Sequence, residues 1–135
     1  MAYGIEEIEG IGPAYAEKLS AANIATTDDL LKLCASKSGR ADTAEKTGCS
    51  EGQLLKWSNL ADLMRVSGIG PQYSELLEAS GVDTIKELRT RNADNLAEKM
   101  EEVNKEKNLA NATPSAKVIQ GWIDAAKDME PTITH

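Results

Sequence analysis

The sequence contains no phenylalanine and one histidine, and aromatic residues make up only 4% of its 135 positions. The histidine, His135, is the last residue, so the body of the chain offers no imidazole as a general base or metal ligand. The core must rest on aliphatic side chains and methionine, with Trp57 and Trp122 as the only indoles. Catalysis or metal binding through an internal histidine is therefore excluded.

Long apolar runs are also missing, and cysteine is scarce. No run approaches the roughly 18 residues that a membrane span requires, so we expect no membrane partner. The first ten residues are acidic and lack the basic and apolar regions of a signal peptide, which predicts a cytoplasmic protein. Cys34 and Cys49 are the only cysteines, and without metal-type spacing they are expected to be a reduced, buried pair.

Basic charge is in short supply as well. The formal net charge is −7, and the acidic excess is spread over both halves of the chain. Nucleic-acid-binding domains usually carry a basic face or stripe. Any contact with a polyanion must therefore be local and must form against an unfavourable overall field.

The most informative feature that is present is a repeat. Gly-Ile-Gly-Pro occurs at 10–13 and again at 68–71, and the similarity extends without a gap over residues 8–30 and 66–88. Tyr15 matches Tyr73 within these segments. A fixed internal period predicts two related units, neither of which buries its apolar face well alone.

Each copy carries the signals of two short helices. Proline just after the glycines suits a first helical position, which predicts helices over about 13–22 and 71–80. Asn23 and Gly81 stand where these helices should end in a left-handed residue. Thr26 and Thr84, each followed three positions later by an acid, resemble capping boxes of helices near 27–37 and 85–91.

The rest of the chain also follows the helical period. Asp42 and Glu45 are expected to cap a short helix that ends at Gly48, and Ser50 is expected to begin a helix reaching about residue 67. Further helices are predicted near 93–106 and from Thr113 onward. Since no segment alternates with period 2, the fold is predicted to be all-α. The predicted units are 1–67 and 60–135, which share the helix of about 50–67.

Two short helices joined by a Gly-hydrophobic-Gly turn resemble the helix-hairpin-helix motif of the SAM-like folds. The string EGIGPAYAEKLSAANIATTDDLLKL, followed by AEKTGCSEGQLLKW, is similar to the small N-terminal domain of archaeal recombinases. The whole chain, including LADLMRVSGIGPQYSELLEASGVDTIKEL and LAEKMEEVNKEKNL, resembles the DUF4332 family of tandem helix-hairpin-helix proteins.

The resemblance implies that backbone N–H groups of the two turns approach a phosphate. Members that bind DNA often carry Lys or Arg just after the turn, whereas this chain has Ala14 and Gln72 there. The turn glycines have a structural alternative, because a tight reversal needs a residue that tolerates positive φ. The residues assigned to phosphate contact are Gly10, Ile11, Gly12, Lys18, Arg65, Gly68, Ile69, Gly70, Lys86 and Arg89.

Three classes of function follow from these observations. The first is a nucleic-acid module that holds a DNA or RNA backbone weakly and without sequence preference. It is expected to use the second turn more than the first, because Arg65 precedes the second turn, Lys86 and Arg89 follow it, and three glutamates precede the first. The second is a protein-interaction adaptor whose turns are purely structural. The third, an enzyme, is disfavoured by the absence of a Walker loop and of paired catalytic carboxylates. No cofactor, metal or small-molecule substrate is expected.

Overall fold

A computed structural model describes residues 3–135, and over these residues the protein is all-α, as predicted. A single 3₁₀ turn, Ile5–Glu7, precedes the first α-helix. The only extended pairing within the described residues is an isolated bridge between Gly4 and Thr26. The helices are α1 (Pro13–Ala21), α2 (Thr27–Cys34), α3 (Lys37–Thr47), α4 (Glu51–Leu63), α5 (Pro71–Ala79), α6 (Ile85–Leu88), α7 (Ala93–Lys107) and α8 (Ala116–Lys127).

The buried apolar side chains form two clusters, which we call the first core and the second core. The first core draws on α1, α2, α4 and the 3₁₀ turn, and the second on α5 to α8. Helix α4 contributes to both, because Leu60 and Ala61 lie in the first core and Leu63 in the second. All three side chains are buried.

The two copies of the repeat make matching local contacts. The N–H of Ile24 donates to the carbonyl of Leu19 at 2.9 Å, and that of Val82 donates to the carbonyl of Leu77 at the same distance. Between these partners Asn23 and Gly81 adopt positive φ angles of 67° and 95°, so the predicted left-handed helix ends are confirmed.

Several helix boundaries differ from the prediction. Asp42 was expected to cap α3, but the helix is capped six residues earlier by Ser36. The Ser36 hydroxyl accepts from the N–H of Gly39 at 3.0 Å. At the end of α4 the N–H of Arg65 donates to the carbonyl of Asp62, and that of Val66 donates to the carbonyl of Leu63. These i to i+3 turns tighten the backbone and end the helix at Leu63 rather than near residue 67.

The later helices show the same kind of adjustment. Helix α6 stops at Leu88 instead of residue 91, and the Thr90 hydroxyl donates to the carbonyl of Glu87 at 2.7 Å. Helix α8 begins at Ala116 because Ser115, not Thr113, caps it by accepting from the N–H of Val118. Helix α7 follows its predicted range within one residue.

Both cysteines are buried and unbridged, as expected from the sequence. Cys34 closes α2, and Cys49 lies between α3 and α4; both belong to the first core. Burial raises the pKa of the Cys34 thiol. The two residues therefore act as small apolar core side chains.

Residues 130–134 form an extended segment that we call the C-terminal strap. It follows α8 of the second core, yet its Ile133 is buried in the first core. The N–H of Thr134 donates to the carbonyl of Ala35, at the end of α2, at 2.9 Å. The strap thus ties the end of the chain to its first half, a feature that helical periodicity did not predict.

Candidate nucleic-acid interface

The first glycine of each Gly-Ile-Gly-Pro turn has a structural reason to be glycine. Gly10 and Gly68 have φ angles of +92° and +96°, in the left-handed region that other residues avoid. A Cβ on Gly10 would stand 3.4 Å from Nε1 of Trp57, and one on Gly68 would stand 3.0 Å from Nε1 of Trp122. The backbone angle therefore favours glycine at both positions, and at Gly68 the close indole adds a packing constraint.

The second glycine of each turn has no such reason. Gly12 and Gly70 have φ angles of −86° and −96°, which any residue adopts. A Cβ on Gly12 would meet no atom within 4 Å among residues 3–135, and one on Gly70 only the Tyr3 hydroxyl at 3.9 Å. What glycine provides here is unobstructed access to the start of a helix.

Helices α1 and α5, which these glycines precede, have no side-chain cap within the described part of the chain. The first N–H groups of a helix have no partner inside it, so those of Ala14 and Tyr15, and of Gln72 and Tyr73, point outward with the positive end of the helix dipole. Such an end is suited to an anion. The six remaining helices are capped by Thr26, Ser36, Ser50, Thr84, Asn92 and Ser115.

The two turns lie in different surroundings. The second opens onto a groove of about 500 Å³ whose side chains carry no charge. Around the first turn, Glu6, Glu7 and Glu9 are exposed and repel an anion. The groove at the second turn therefore has no carboxylate in its lining, and Glu75 and Glu78 lie further along α5. Its groove is lined by Tyr3, Gly68, Gly70, Pro71, Gln72, Tyr73, Asn111 and Ala112.

The tyrosines of the two turns are half-buried and pack on the tryptophans. The ring centroids of Tyr15 and Trp57 are 5.2 Å apart, and those of Tyr73 and Trp122 are 5.4 Å apart. The Tyr15 hydroxyl accepts from Nε2 of Gln53 at 2.9 Å. Both rings therefore help to hold the turns against the tryptophans, and Tyr73 in addition borders the groove.

The predicted phosphate-binding cations are dispersed. Nζ of Lys18 lies 5.6 Å from the centroid of the Tyr15 ring, a cation–π distance. Lys86 is exposed on α6 and Arg89 is half-buried at its end. None of the three borders the groove at the second turn.

The sequence assigned Arg65 to phosphate contact, and in the structure its guanidinium donates to other groups of the chain. Its Nη1 donates to Oδ1 of Asp62 at 2.8 Å and to the hydroxyl of Thr132 at 2.8 Å. Both Nη atoms also donate to the carbonyl of Glu130, at 3.3 and 3.2 Å. In this structure the guanidinium therefore holds the C-terminal strap.

Asp62 is a structural residue that sequence reasoning missed. Its side chain is only 1% exposed, and besides Arg65 it accepts from the N–H of Ile85 at 2.9 Å. The carboxylate thus joins α4, α6 and the strap-binding arginine. The available signal was an acid inside the apolar stretch Leu60 to Met64, where an unpaired charge would be costly.

Among the residues that the structure describes, Glu75 on α5 is the one acid with a buried carboxyl oxygen that has no hydrogen-bond partner. Desolvation by burial raises its pKa, and Lys56, with Nζ 3.9 Å from Oε1, offsets this in part. Oε2 is buried and accepts no hydrogen bond within the described residues. The ionised form of Glu75 therefore lowers the stability of the folded chain.

No group of three or more His, Cys, Asp or Glu side chains in residues 3–135 is arranged to hold a metal ion. None of the helices described is both long enough and apolar enough to cross a membrane. Neither a curated protein nor a solved structure matches the chain. Residues 9–129 do match the family model described as "Domain of unknown function (DUF4332)", a range that covers both turns and all of α1 to α8, and the chain belongs to that family.

Proposed function

We propose that this protein is a non-enzymatic tandem helix-hairpin-helix module that holds a nucleic-acid backbone at its second Gly-Ile-Gly-Pro turn. The observation that supports this most directly is the uncapped start of α5, which opens onto an uncharged groove of about 500 Å³. A phosphate there would accept from the N–H groups of Gln72 and Tyr73 and would be stabilised by the helix dipole.

Binding of this kind does not depend on base sequence, because N–H groups that contact phosphate cannot distinguish base edges. It is also weak, since the net charge of −7 opposes a polyanion. We expect a dissociation constant of about 10⁻⁴ to 10⁻⁶ M near physiological salt, the range of non-specific binding.

The test is fluorescence anisotropy with labelled single-stranded and duplex oligonucleotides at low salt, on the order of 50 mM, where screening is weak. The parent chain should bind both of two unrelated sequences equally. Gln72→Glu places an acid in the first turn of α5, which suits the helix dipole but repels phosphate. This variant should keep the fold and lose binding.

Ala14→Glu is the matched control, because Ala14 occupies the same position after the first turn and is exposed like Gln72. It adds the same charge to a site that we expect to contribute little, so the affinity should change only slightly. Absence of binding by the parent chain, or equal loss in both variants, would contradict the proposal.

A protein-interaction adaptor is the second candidate. The observation that favours it is the exposed acidic face of α7, where Glu98, Glu101 and Glu102 line one surface with Lys105. Such a face suits a basic segment of a partner. Glu101→Lys together with Glu102→Lys should abolish association with a co-purifying protein or a second copy, and should not weaken binding to an oligonucleotide.

A further inference from the structure

The C-terminal strap lies against two of the basic residues that the sequence assigned to phosphate contact: it engages the guanidinium of Arg65, and it borders Lys86, whose side chain stays exposed. Arg65 donates to the Glu130 carbonyl and the Thr132 hydroxyl, as described above. Lys86 borders a cavity of about 230 Å³ whose other walls are Asp62, Thr84 and residues 131–135. One short segment thus lies against both cations.

Most hydrogen bonds between the strap and the rest of the chain involve backbone atoms of the strap. Nη2 of Arg40 donates to the carbonyl of Thr134 at 2.6 Å, while Nη1 of the same residue donates to the carbonyls of Cys34 and Ala35 at 3.0 Å. The side chain of Ile133 supplies the one apolar anchor, in the first core. Ile133 lies between the polar contacts at Thr132 and Thr134, so loss of this anchor is expected to weaken the hold on the whole strap.

We propose that the C-terminal strap is an autoinhibitory cover that engages the donors of Arg65 and occupies the surface beside Lys86, and so keeps nucleic-acid phosphates from this pair of cations. This inference rests on the proposed function and adds a regulatory element to it. When the strap leaves, the Arg65 guanidinium keeps its ion pair with Asp62. The N–H groups that donate to Glu130 and Thr132 become available to a phosphate, because a guanidinium has several donors. The open side of the cavity beside Lys86 becomes free as well.

Arg65 lies three residues before Gly68 in the sequence, so we expect a nucleic-acid backbone held at the second turn to pass within reach of the released guanidinium. With the strap in place few cations are neutralised, and log K should fall with log salt at a slope of about −1. With the strap released, the slope should steepen to about −2 to −3, and the affinity at low salt should rise about tenfold.

The experiment compares the full-length parent chain with Ile133→Ser, which removes the apolar anchor without adding charge. Hydrogen exchange should show faster exchange of the Thr134 amide, which donates to Ala35 in the parent. Anisotropy with the same oligonucleotides should show tighter, more salt-dependent binding. Lys86→Gln, at an exposed position that should not affect folding, should reverse part of the gain in the Ile133→Ser background.

Thr132→Val is the second variant in case Ile133→Ser lowers stability too far. It keeps the size of the side chain and removes an acceptor of Arg65, so a smaller gain of the same kind is expected. If the parent binds and neither variant binds more tightly, or if the Thr134 amide stays protected in Ile133→Ser, the cover is refuted while the proposed function stands. A gain that Lys86→Gln does not reduce also refutes it. Failure of every variant and of the parent to bind refutes both.

Discussion

Trp122 and Gly68 fit together so closely that a Cβ on the glycine would stand 3.0 Å from the indole Nε1. The same arrangement joins Trp57 to Gly10, at 3.4 Å. Trp57 lies on α4 and Trp122 on α8, and each indole lies beside the first glycine of one turn. The first glycine of the repeated tetrapeptide is thus constrained by its backbone angle and its tryptophan neighbour, whereas the second glycine is not.

This division predicts opposite outcomes for two substitutions in one turn. Gly68→Ala forces a non-glycine residue into positive φ against an indole and should cost about 2 to 4 kcal/mol. Gly70→Ala keeps an ordinary backbone angle and should cost less than about 1 kcal/mol. Urea denaturation of both variants measures the difference. Equal losses would show that the indole does not constrain the first glycine.

The starts of the repeated helices could be predicted because their signals are local. Pro13 and Pro71 mark first helical positions, and the Thr26 and Thr84 hydroxyls cap the next helices as expected. The start of α3 was mistaken because Ser36 and Asp42 are both good N-caps, and the sequence alone does not decide between them.

Arg40 offers a sharp test of the strap as part of the fold. Its side chain is buried, and its guanidinium donates to three carbonyl oxygens, those of Cys34, Ala35 and Thr134. Arg40→Ala leaves these acceptors without their donor and should cost about 2 to 4 kcal/mol. Lys37→Ala, at an exposed position of the same helix, should cost less than about 0.5 kcal/mol. Denaturation midpoints that fall equally would contradict this role.

Glu75 predicts a pH dependence. Its pKa is raised in the folded state, so the folded chain binds the proton more tightly than the unfolded chain, and the carboxylate costs stability once it ionises. The cost is absent below the ordinary value of 4.5 and develops as the pH rises through the folded pKa. Glu75→Gln should therefore raise the melting temperature at pH 7 and lose this advantage near pH 4.

Glu98→Gln is the control for this measurement, because Glu98 is an exposed acid on α7. Its effect on the melting temperature should be small at both values of pH. An advantage of Glu75→Gln that is as large at pH 4 as at pH 7 would mean that packing, not ionisation, is responsible.

The candidate site was only partly predictable. The two turns followed from the glycines, which are sequence neighbours. The preference for the second turn was predicted from Arg65, Lys86 and Arg89 as well as from Glu6, Glu7 and Glu9; it stays a prediction, and none of the three cations lines the groove. The contact of Arg65 with the strap could not be predicted, because its partners Glu130 and Thr132 lie 65 and 67 residues further along the chain. An extended segment of that kind has no period from which its contacts could be inferred.

A gain of binding at the second turn is the last prediction. Gln72→Lys adds a cation beside the first N–H groups of α5, which should lower the dissociation constant by about three- to tenfold and steepen the salt slope by about one unit. The helix dipole opposes the new charge by only a few tenths of a kcal/mol, so the fold should be kept, as a melting curve would show. Ala14→Lys makes the same change at the first turn, where Glu6, Glu7 and Glu9 offset the charge, and its gain should be smaller. Anisotropy at several salt concentrations compares the two. An equal gain from both variants would mean that net charge alone governs binding and that the groove at the second turn does not select the phosphate.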